Sequence, residues 1–274
     1  MTRPGRLVLL GHPVVHSLSP VMHNAALSAA GIPLTYELLD VSPSGLETTF
    51  ISLASEGAAG NVTVPHKTTA ARLMNNVSPV AKRIEAVNTF HTSDPGTLTG
   101  DNTDPLGFAA LVRAALGREP FDAHFALIGA GGAAAAVLAA IEGWSGCTAS
   151  VYSRNAKRAE HLVARFPDVA RVKTLSGHGR MRGEIVVNAT PIGLGNDDVP
   201  IPLQRLDANA AILDLVYRRG ETAWVRLARA DGRIASDGLP MLLEQGAAAF
   251  EIWFGEEPDR GVMWAALKEA TGRV

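Results

Sequence analysis

Near the middle of the chain, an apolar run leads directly into a glycine-rich turn and then into an alanine-rich segment. Residues 125–128 predict a buried strand, Gly129-Ala130-Gly131-Gly132-Ala133-Ala134 fits the pattern G-x-G-x-x-A, and a helix is expected to continue to Ile141. In such a turn the first glycine permits a tight bend, the second lets the backbone approach a pyrophosphate, and the alanine allows close helix–strand packing. The stretch predicts a dinucleotide-binding unit, with a plain structural turn as the alternative.

The end of the next predicted strand favours one nicotinamide cofactor over the other. NAD-binding folds usually carry Asp or Glu there to hold the ribose hydroxyls, whereas this chain reads Val151-Tyr152-Ser153-Arg154-Asn155-Ala156-Lys157-Arg158. No acid is present, and the planar guanidinium groups of Arg154 and Arg158 suit a 2′-phosphate. We interpret Lys157 as part of a solvated helix face, a reading that stays open for Arg158. The segment therefore favours NADP.

Composition and charge exclude several classes of protein. The 274 residues suffice for two modest domains, and their formal charge of −2 argues against a nucleic-acid-binding surface. Cys147 is the only cysteine, so an internal disulfide and a cysteine metal cluster are excluded, and no His/Asp/Glu spacing resembles a metal site. The apolar run 133–141 is far shorter than the roughly 20 residues that cross a bilayer. We expect a cytoplasmic protein with no metal and no membrane contact.

Two alternating series of strands and helices organise the chain. Residues 7–10, 34–41 and 60–64 predict the strands of the first series, and the second series begins after Asp104. This alternation predicts an α/β fold, with an N-terminal substrate domain built on a mainly parallel sheet and a Rossmann-type NADP-binding domain. The closing helices are expected to return to the first domain. The predicted boundaries are 1–104 for the substrate domain, completed by 240–274, and 105–239 for the NADP-binding domain.

One lysine stands just beyond the third predicted strand, in Gly60-Asn61-Val62-Thr63-Val64-Pro65-His66-Lys67. On such a turn Lys67 can be a phosphate anchor, a surface charge or an acid–base group. The segment Gly100-Asp101-Asn102-Thr103-Asp104 supplies carboxylates for it. Asp104 is the natural partner, but Asp101 competes for that role on local grounds.

Two serines lie between the first predicted strand and the first helix. Ser17 and Ser19 can turn their hydroxyls towards an anion near the helix N-terminus, but Ser19 can equally be only a helix cap. His16 and His23 are interpreted as structural or surface histidines. Asn88 can add a neutral hydrogen-bond contact to a polyol.

These residues in this order resemble the shikimate dehydrogenase family over essentially the whole chain. Several separated motifs in one order are far more specific than the glycine turn alone. The motifs are His16-Ser17-x-Ser19-Pro20-x-x-His23-Asn24, Asn61-Val62-Thr63-x-Pro65-x-Lys67, Gly100-Asp101-Asn102-Thr103-Asp104 with Gly107, Asn188-Ala189-Thr190-Pro191-Ile192-Gly193, Asp214-x-x-Tyr217 and Gly238-x-x-Met241-Leu242-x-x-Gln245-Gly246.

The resemblance implies reversible NADPH-dependent reduction of 3-dehydroshikimate to shikimate, in the pathway to aromatic amino acids. It implies that Lys67, paired with Asp104, transfers the proton and touches the substrate. The substrate carboxylate would be held by Ser17, Ser19 and Tyr217, and the ring hydroxyls by Thr63, Asn88, Asp104 and Gln245. The cofactor would be surrounded by Gly129, Ala130, Gly131, Gly132, Ala133, Ser153, Arg154, Asn155, Arg158, Leu215 and Gly238.

One departure from the family pattern concerns the cofactor, and it keeps alternatives open. The family's usual Asn-Arg-Thr after the second cofactor strand is Ser153-Arg154-Asn155 here, so the preference for NADP can be weaker than is typical. A quinate/shikimate dehydrogenase that uses NAD is the nearest alternative, and a non-catalytic ligand sensor on the same fold is the other. The sequence does not determine the oligomeric state, and a homodimer stays an open alternative.

Overall fold

A computed structural model of the chain describes residues 3–174 and 179–273. The chain divides into two compact units, one made of Met1–Asp104 and Leu242–Val274 and the other of Pro105–Met241. Each unit contains a six-stranded sheet with helices, and the predicted α/β class is confirmed. Within the residues described, no helix has the length and apolar character needed to cross a membrane.

The elements are numbered along the chain. The strands are β1 (Leu7–Gly11), β2 (Tyr36–Asp40), β3 (Ala59–Val62), β4 (Asn76–Val77), β5 (Thr89–Asp94), β6 (Thr97–Asp101), β7 (His124–Ile128), β8 (Thr148–Tyr152), β9 (Ala170–Lys173), β10 (Ile185–Asn188), β11 (Ala211–Asp214) and β12 (Ala235–Ser236). The helices are α1 (Ser19–Ala29), α2 (Leu46–Ser55), α3 (Lys67–Leu73), α4 (Pro79–Ile84), α5 (Asp104–Leu116), α6 (Gly132–Glu142), α7 (Ala156–Ala164), α8 (Ala223–Ala230), α9 (Leu239–Phe254) and α10 (Arg260–Thr271).

The sheet of the first unit has the order β2-β1-β3-β5-β6-β4. β1 runs parallel to β2 and β3, and β4 runs parallel to β6, whereas β5 is antiparallel to both of its neighbours. Every residue of β1 is buried, as expected for a parallel strand covered on both faces. The C-terminal helix α10 packs against α1, so the closing helices return to the first unit as predicted.

The hairpin of β5 and β6 is an element that the sequence pattern did not indicate. Its two strands are joined by a short turn in which Gly96 has a φ of +76°. Along β6, buried and half-buried residues alternate, so the segment lacks the continuous apolar run that marks the neighbouring strands. The hairpin brings the chain back along the sheet to Asp104, where α5 begins.

The sheet of the second unit has the order β12-β11-β10-β7-β8-β9, and all of its neighbouring strands are parallel. Read from the β9 edge, the strands of the unit follow the order 3-2-1-4-5-6, which is that of the dinucleotide-binding Rossmann fold. β10 and β11 are buried along their whole length. The Rossmann-type prediction is therefore confirmed.

Gly60 is required where β3 passes β1. A Cβ at this position would lie 2.0 Å from Val8 O, a backbone atom that cannot move away alone. We expect Gly60→Ala to lower the free energy of unfolding by at least about 2 kcal/mol, measured by urea denaturation. Gly45→Ala is the matched control, because its Cβ would meet only Ser42 and Val41 side-chain atoms at 3.6 Å. If Gly60→Ala were as stable as Gly45→Ala, the inference that β1 and β3 approach too closely for a Cβ would be wrong.

Candidate active site

Lys67 is the first residue of α3, on a turn that leaves the end of β3. The Thr63 N–H donates to Leu10 O at 2.8 Å, and the His66 N–H donates to Thr63 O at 2.9 Å. The buried His66 imidazole also contacts Val41 O through Nε2 at 2.7 Å. These contacts hold both ends of the turn and so determine where the Lys67 side chain begins.

The ammonium of Lys67 pairs with Asp104. Lys67 Nζ donates to Asp104 Oδ2 at 2.6 Å, and the two side chains are 20% and 5% exposed. Asp104 begins α5, where the positive end of the helix favours a carboxylate, and its N–H donates to Asn102 Oδ1 at 3.0 Å. Asp101, the competing carboxylate, instead accepts from the Ser78 hydroxyl and the Asn102 N–H. The pair is thus sheltered, yet a small molecule can reach its ammonium.

Asn88, just before β5, is buried and ties the pair to its neighbours. Its Nδ2 lies 2.8 Å from Asp104 Oδ1, 2.9 Å from Thr103 Oγ1 and 3.3 Å from Gln245 Oε1. Its Oδ1 accepts from the Thr103 N–H at 2.8 Å, and the Thr103 hydroxyl donates to Gln245 O at 2.9 Å. Lys67, Asn88, Asp104 and Gln245 therefore form one cluster. Thr103 belongs to it as well, although sequence reasoning assigned that residue no role.

The structure corrects one local expectation at the start of α1. Ser19 is the first helical residue and Leu18 occupies the N-cap position, so Ser19 is not the helix cap. The Ser19 N–H instead donates to Ser17 Oγ at 3.2 Å, and the two hydroxyl oxygens are also 3.2 Å apart. Side-by-side hydroxyls are the arrangement that a shared carboxylate would need. Thr63 directly follows β3 and is half-buried.

The cluster around Lys67 can bind a polyol and move a proton. An ammonium carries three hydrogens, and Lys67 directs one of them to Asp104. A carbonyl oxygen beside Nζ can accept another. The amides of Asn88 and Gln245 offer neutral donors and acceptors, which suit hydroxyl groups.

In the second unit, the predicted cofactor residues follow the carboxyl ends of parallel strands. Residues 129–133 follow β7, residues 153–155 follow β8, Leu215 follows β11 and Gly238 lies just beyond β12. Parallel strands end at the same edge of a sheet, and dinucleotides bind at this edge where the strand order reverses. That reversal falls between β7 and β10.

The turn after β7 fits the phosphates of a dinucleotide. Gly129 has a φ of +121°, and a Cβ there would lie 2.7 Å from Ala189 O, so a larger residue would be strained and would clash. A Cβ on Gly131 would meet no atom within 4 Å, so this side of the turn faces open space. Gly131 is the N-cap of α6 and makes no side-chain cap bond. Uncapped amides at the positive end of a helix are what a bound phosphate requires.

Two exposed arginines follow β8: Arg154 lies on the turn, and Arg158 lies in the first turn of α7. Asn155 Oδ1 accepts from the Arg158 N–H at 3.0 Å and caps α7, while Ser153 Oγ accepts from the Asn155 N–H at 3.1 Å. The residues on either side of Arg154 therefore hold the turn in shape. Both guanidinium groups are in solvent, where a phosphate can reach them.

A buried carboxyl group, Asp214, ends β11 immediately before Leu215. Its Oδ1 accepts from Asn188 Nδ2 at 2.8 Å and from the Val216 N–H at 3.2 Å. Burial raises the pKa of Asp214 to about 6, although hydrogen bonds from Thr222, Asn188 and Val216 act in the opposite direction. Asp214 begins the motif Asp214-x-x-Tyr217, but the sequence indicated no role for it. The sequence feature that could have revealed it is a lone Asp at the end of an apolar strand.

Neutralising Asp214 should change how stability depends on pH. Its folded pKa of about 6 lies above the ordinary 3.8, so its stabilising contribution is complete below about pH 3.8 and is lost as the pH rises through 6. Asp214→Asn escapes that loss. Relative to the unchanged protein, its free energy of unfolding should rise between about pH 4 and about pH 7 by up to about 3 kcal/mol.

Denaturant titrations at several pH values measure this difference. The exposed Asp168 lies in the same unit, and Asp168→Asn serves as the control because it relieves no buried charge. A difference between Asp214→Asn and the unchanged protein that stays constant with pH would contradict the expectation.

Two further predicted residues lie near the ends of β11 and β12. Gly238 passes so close to Leu215 that a Cβ would lie 2.2 Å from Leu215 O. Tyr217 lies three residues beyond β11 and is half-buried, and its contact with a substrate carboxylate stays a prediction. In the part of the chain that the structure describes, no group of three or more His, Cys, Asp or Glu side chains could hold a metal ion.

Family models match both ends of the chain. The model described as "Shikimate dehydrogenase substrate binding domain" matches residues 9–90, and the one described as "Shikimate 5'-dehydrogenase C-terminal domain" matches residues 238–268. Among curated relatives, the NADP(+) shikimate dehydrogenase of Symbiobacterium thermophilum is 39% identical over 97% of this chain and 95% of its own length.

Solved structures agree with this likeness. Shikimate 5-dehydrogenase from Thermus thermophilus, in complex with NADP(H) and shikimate, superposes with a TM-score of 0.86 at 37% identity and covers 97% of this chain and 99% of its own. Quinate dehydrogenase from Corynebacterium glutamicum, in complex with NAD, also superposes with a TM-score of 0.86, but at 28% identity, covering 96% and 98% of the two chains.

Proposed function

This chain belongs to the shikimate dehydrogenase family, and we propose that it catalyses the reversible NADPH-dependent reduction of 3-dehydroshikimate to shikimate. The observation that carries the proposal is the contact of 2.6 Å between Lys67 Nζ and Asp104 Oδ2 beside the buried amide of Asn88. A ligand sensor has no need of a sheltered ion pair at its site, so this contact favours an enzyme.

Lys67 moves the proton in the proposed reaction. When bound, the reduced cofactor supplies a hydride to the carbonyl carbon of the substrate. Lys67 Nζ donates a proton to the carbonyl oxygen, so that the carbonyl becomes a hydroxyl, and in the reverse direction the neutral amine takes the proton back. Asp104 Oδ2 holds Nζ in place and balances its charge.

The rest of the first cluster binds and orients the substrate. We assign the ring hydroxyls to Thr63, Asn88, Asp104 and Gln245, and these assignments are supported by the cluster of hydrogen bonds that joins the last three. We assign the carboxylate to Ser17 and Ser19 together with Tyr217. The adjacent Ser17 and Ser19 hydroxyls support that assignment.

The second unit holds the cofactor at the carboxyl edge of its sheet. The open side of the glycine turn and the uncapped α6 N-terminus support phosphate binding by residues 129–133. Exposed Arg154 and Arg158 suit the 2′-phosphate of NADP. The turn residues Ser153 and Asn155, together with Leu215 and Gly238, complete the proposed cofactor site.

A spectrophotometric assay tests the proposal directly. NADP+ reduction that depends on shikimate is the expected result. Reduction of NAD+ with quinate in its place would identify the alternative dehydrogenase, and no reduction with either pair would identify a non-catalytic protein.

Removing the Lys67 ammonium should affect turnover more than binding. We expect Lys67→Ala to lower kcat by about 10²–10⁴-fold, the usual contribution of general acid–base catalysis, with a smaller change in KM. Lys82→Ala is the control, because Lys82 is an exposed lysine of the same unit. Steady-state kinetics with shikimate make the comparison, and a normal kcat for Lys67→Ala would remove Lys67 from the mechanism.

Removing the Arg154 guanidinium should reduce the preference for NADP. Charged hydrogen bonds of this kind correspond to roughly 10–100-fold in affinity, so Arg154→Ala should raise KM for NADP+ by that factor and leave KM for NAD+ nearly unchanged. Lys157→Ala, an exposed cation three residues away, should leave the ratio of the two constants unaltered. Equal losses for both cofactors in Arg154→Ala would show that this arginine does not bind the 2′-phosphate.

Assembly and location complete the proposal. We expect a cytoplasmic enzyme, consistent with the buried and unpaired Cys147, and we keep a homodimer as the candidate assembly. The balanced charge of the chain supports the expectation that it does not bind nucleic acid.

A further inference from the structure

Tyr36 is contacted by His23, Asn24 and Asn61. These three residues belong to the motifs that resemble the shikimate dehydrogenase family, but none of them has a part in the proposed chemistry. Tyr36 is the first residue of β2 and is 1% exposed. Asn24 binds its backbone twice, since the Tyr36 N–H donates to Asn24 Oδ1 at 2.8 Å and Asn24 Nδ2 donates to Tyr36 O at 3.1 Å. The backbone of Tyr36 is therefore held by α1.

The ring of Tyr36 is fixed as firmly as its backbone. It stacks on the His23 imidazole with centroids 4.5 Å apart and lies 5.9 Å from the Trp253 ring. Burial lowers the pKa of His23 to about 3, so the stacked imidazole is neutral at the pH at which enzymes work. These contacts of backbone and ring together determine where the Tyr36 hydroxyl lies.

From that hydroxyl, two hydrogen bonds lead to the backbone carbonyl of Asn88, whose side chain contacts the Lys67–Asp104 pair. The Tyr36 hydroxyl donates to Asn61 Oδ1 at 2.7 Å, and Asn61 Nδ2 donates to Asn88 O at 3.1 Å. An amide carries its acceptor and its donors on opposite sides, so holding Oδ1 also aims Nδ2. Asn88 then contacts Asp104 through its side chain at 2.8 Å.

We propose that Tyr36 is a positioning residue for the Lys67–Asp104 pair and acts through Asn61 and Asn88. The proposal rests on the proposed function. A phenylalanine would fill the same space and stack on the same rings, and burying a hydroxyl and an amide is costly unless both are paired. The hydroxyl thus contributes direction rather than packing. It also couples the proton-transfer cluster to α1, the helix that begins with Ser19.

Tyr36→Phe tests the proposal with little change in packing. Because a small displacement of a catalytic group can cost up to about 10²-fold in rate, we expect kcat to fall roughly tenfold. KM for shikimate should change less than kcat, and KM for NADP+ should not change. The control is Thr271→Val, which removes another buried hydroxyl of the same unit, bonded only within α10, and should keep full activity. An equal loss of kcat in the control would overturn the proposal.

A double variant tests whether Tyr36 acts through Asn61. If it does, adding Tyr36→Phe to Asn61→Ala should lower kcat no further than Asn61→Ala alone. Losses that multiply in the double variant would mean that Tyr36 acts by another route, and the proposal would fail.

A third measurement does not depend on turnover. In protein labelled with ¹⁵N at asparagine, the side-chain amide signals of Asn88 should shift in Tyr36→Phe. Those of Asn188, which bonds Asp214 at the same distance of 2.8 Å in the other unit, should stay in place. If the protein without any substitution were inactive, the proposed function would be wrong. If the Asn88 signals did not shift in Tyr36→Phe, only the role of Tyr36 would be wrong.

Discussion

The Asp104 carboxylate lies almost completely out of solvent and is stabilised by the Lys67 ammonium 2.6 Å away. A buried carboxylate that loses its partner is strongly unfavourable. The contacts around Asp104 and Lys67 keep these two groups together. The His66 contact with Val41 O holds the turn that carries Lys67. Asn102 holds the first residue of α5 from the other side. The amide of Asn88 satisfies the second carboxylate oxygen.

The two units use the residues at the ends of their strands in different ways. In the first unit, the strand ends supply side chains of specific chemistry, an ammonium, a carboxylate and amides. In the second unit, the strand ends contribute backbone groups, and the residues that matter most are glycines, which have no side chain. Gly129 and Gly238 allow chain segments to pass within a distance that a Cβ would block. Gly131 leaves space in front of the helix N-terminus.

The sequence predicted the features that depend on local pattern. The apolar strands β7, β10 and β11 and the glycine turn follow from short-range composition, and so does the division into an alternating α/β series. The β5–β6 hairpin was missed because its strands are rich in Thr, Ser, Asp and Gly, residue types that are common in turns and loops. Ser19 was left as a possible cap because residue type alone does not show where the first helical φ/ψ falls. His66 and Tyr36 were not assigned a role, because their contacts with Val41 and Asn61 join residues about 25 positions apart.

The first unit is discontinuous in sequence, since Leu242–Val274 complete what Met1–Asp104 begin. Gln245, which contacts Asn88, and Trp253, which donates to Thr89 Oγ1, both come from the later segment. The second unit, by contrast, is one continuous stretch. When residue 241 has emerged from the ribosome, every residue of the second unit is available for folding. The first unit still lacks part of its polar cluster at that stage. Because domains generally fold as units while the chain emerges, the second unit can fold first, and the polar cluster around Lys67 and Asp104 is completed last.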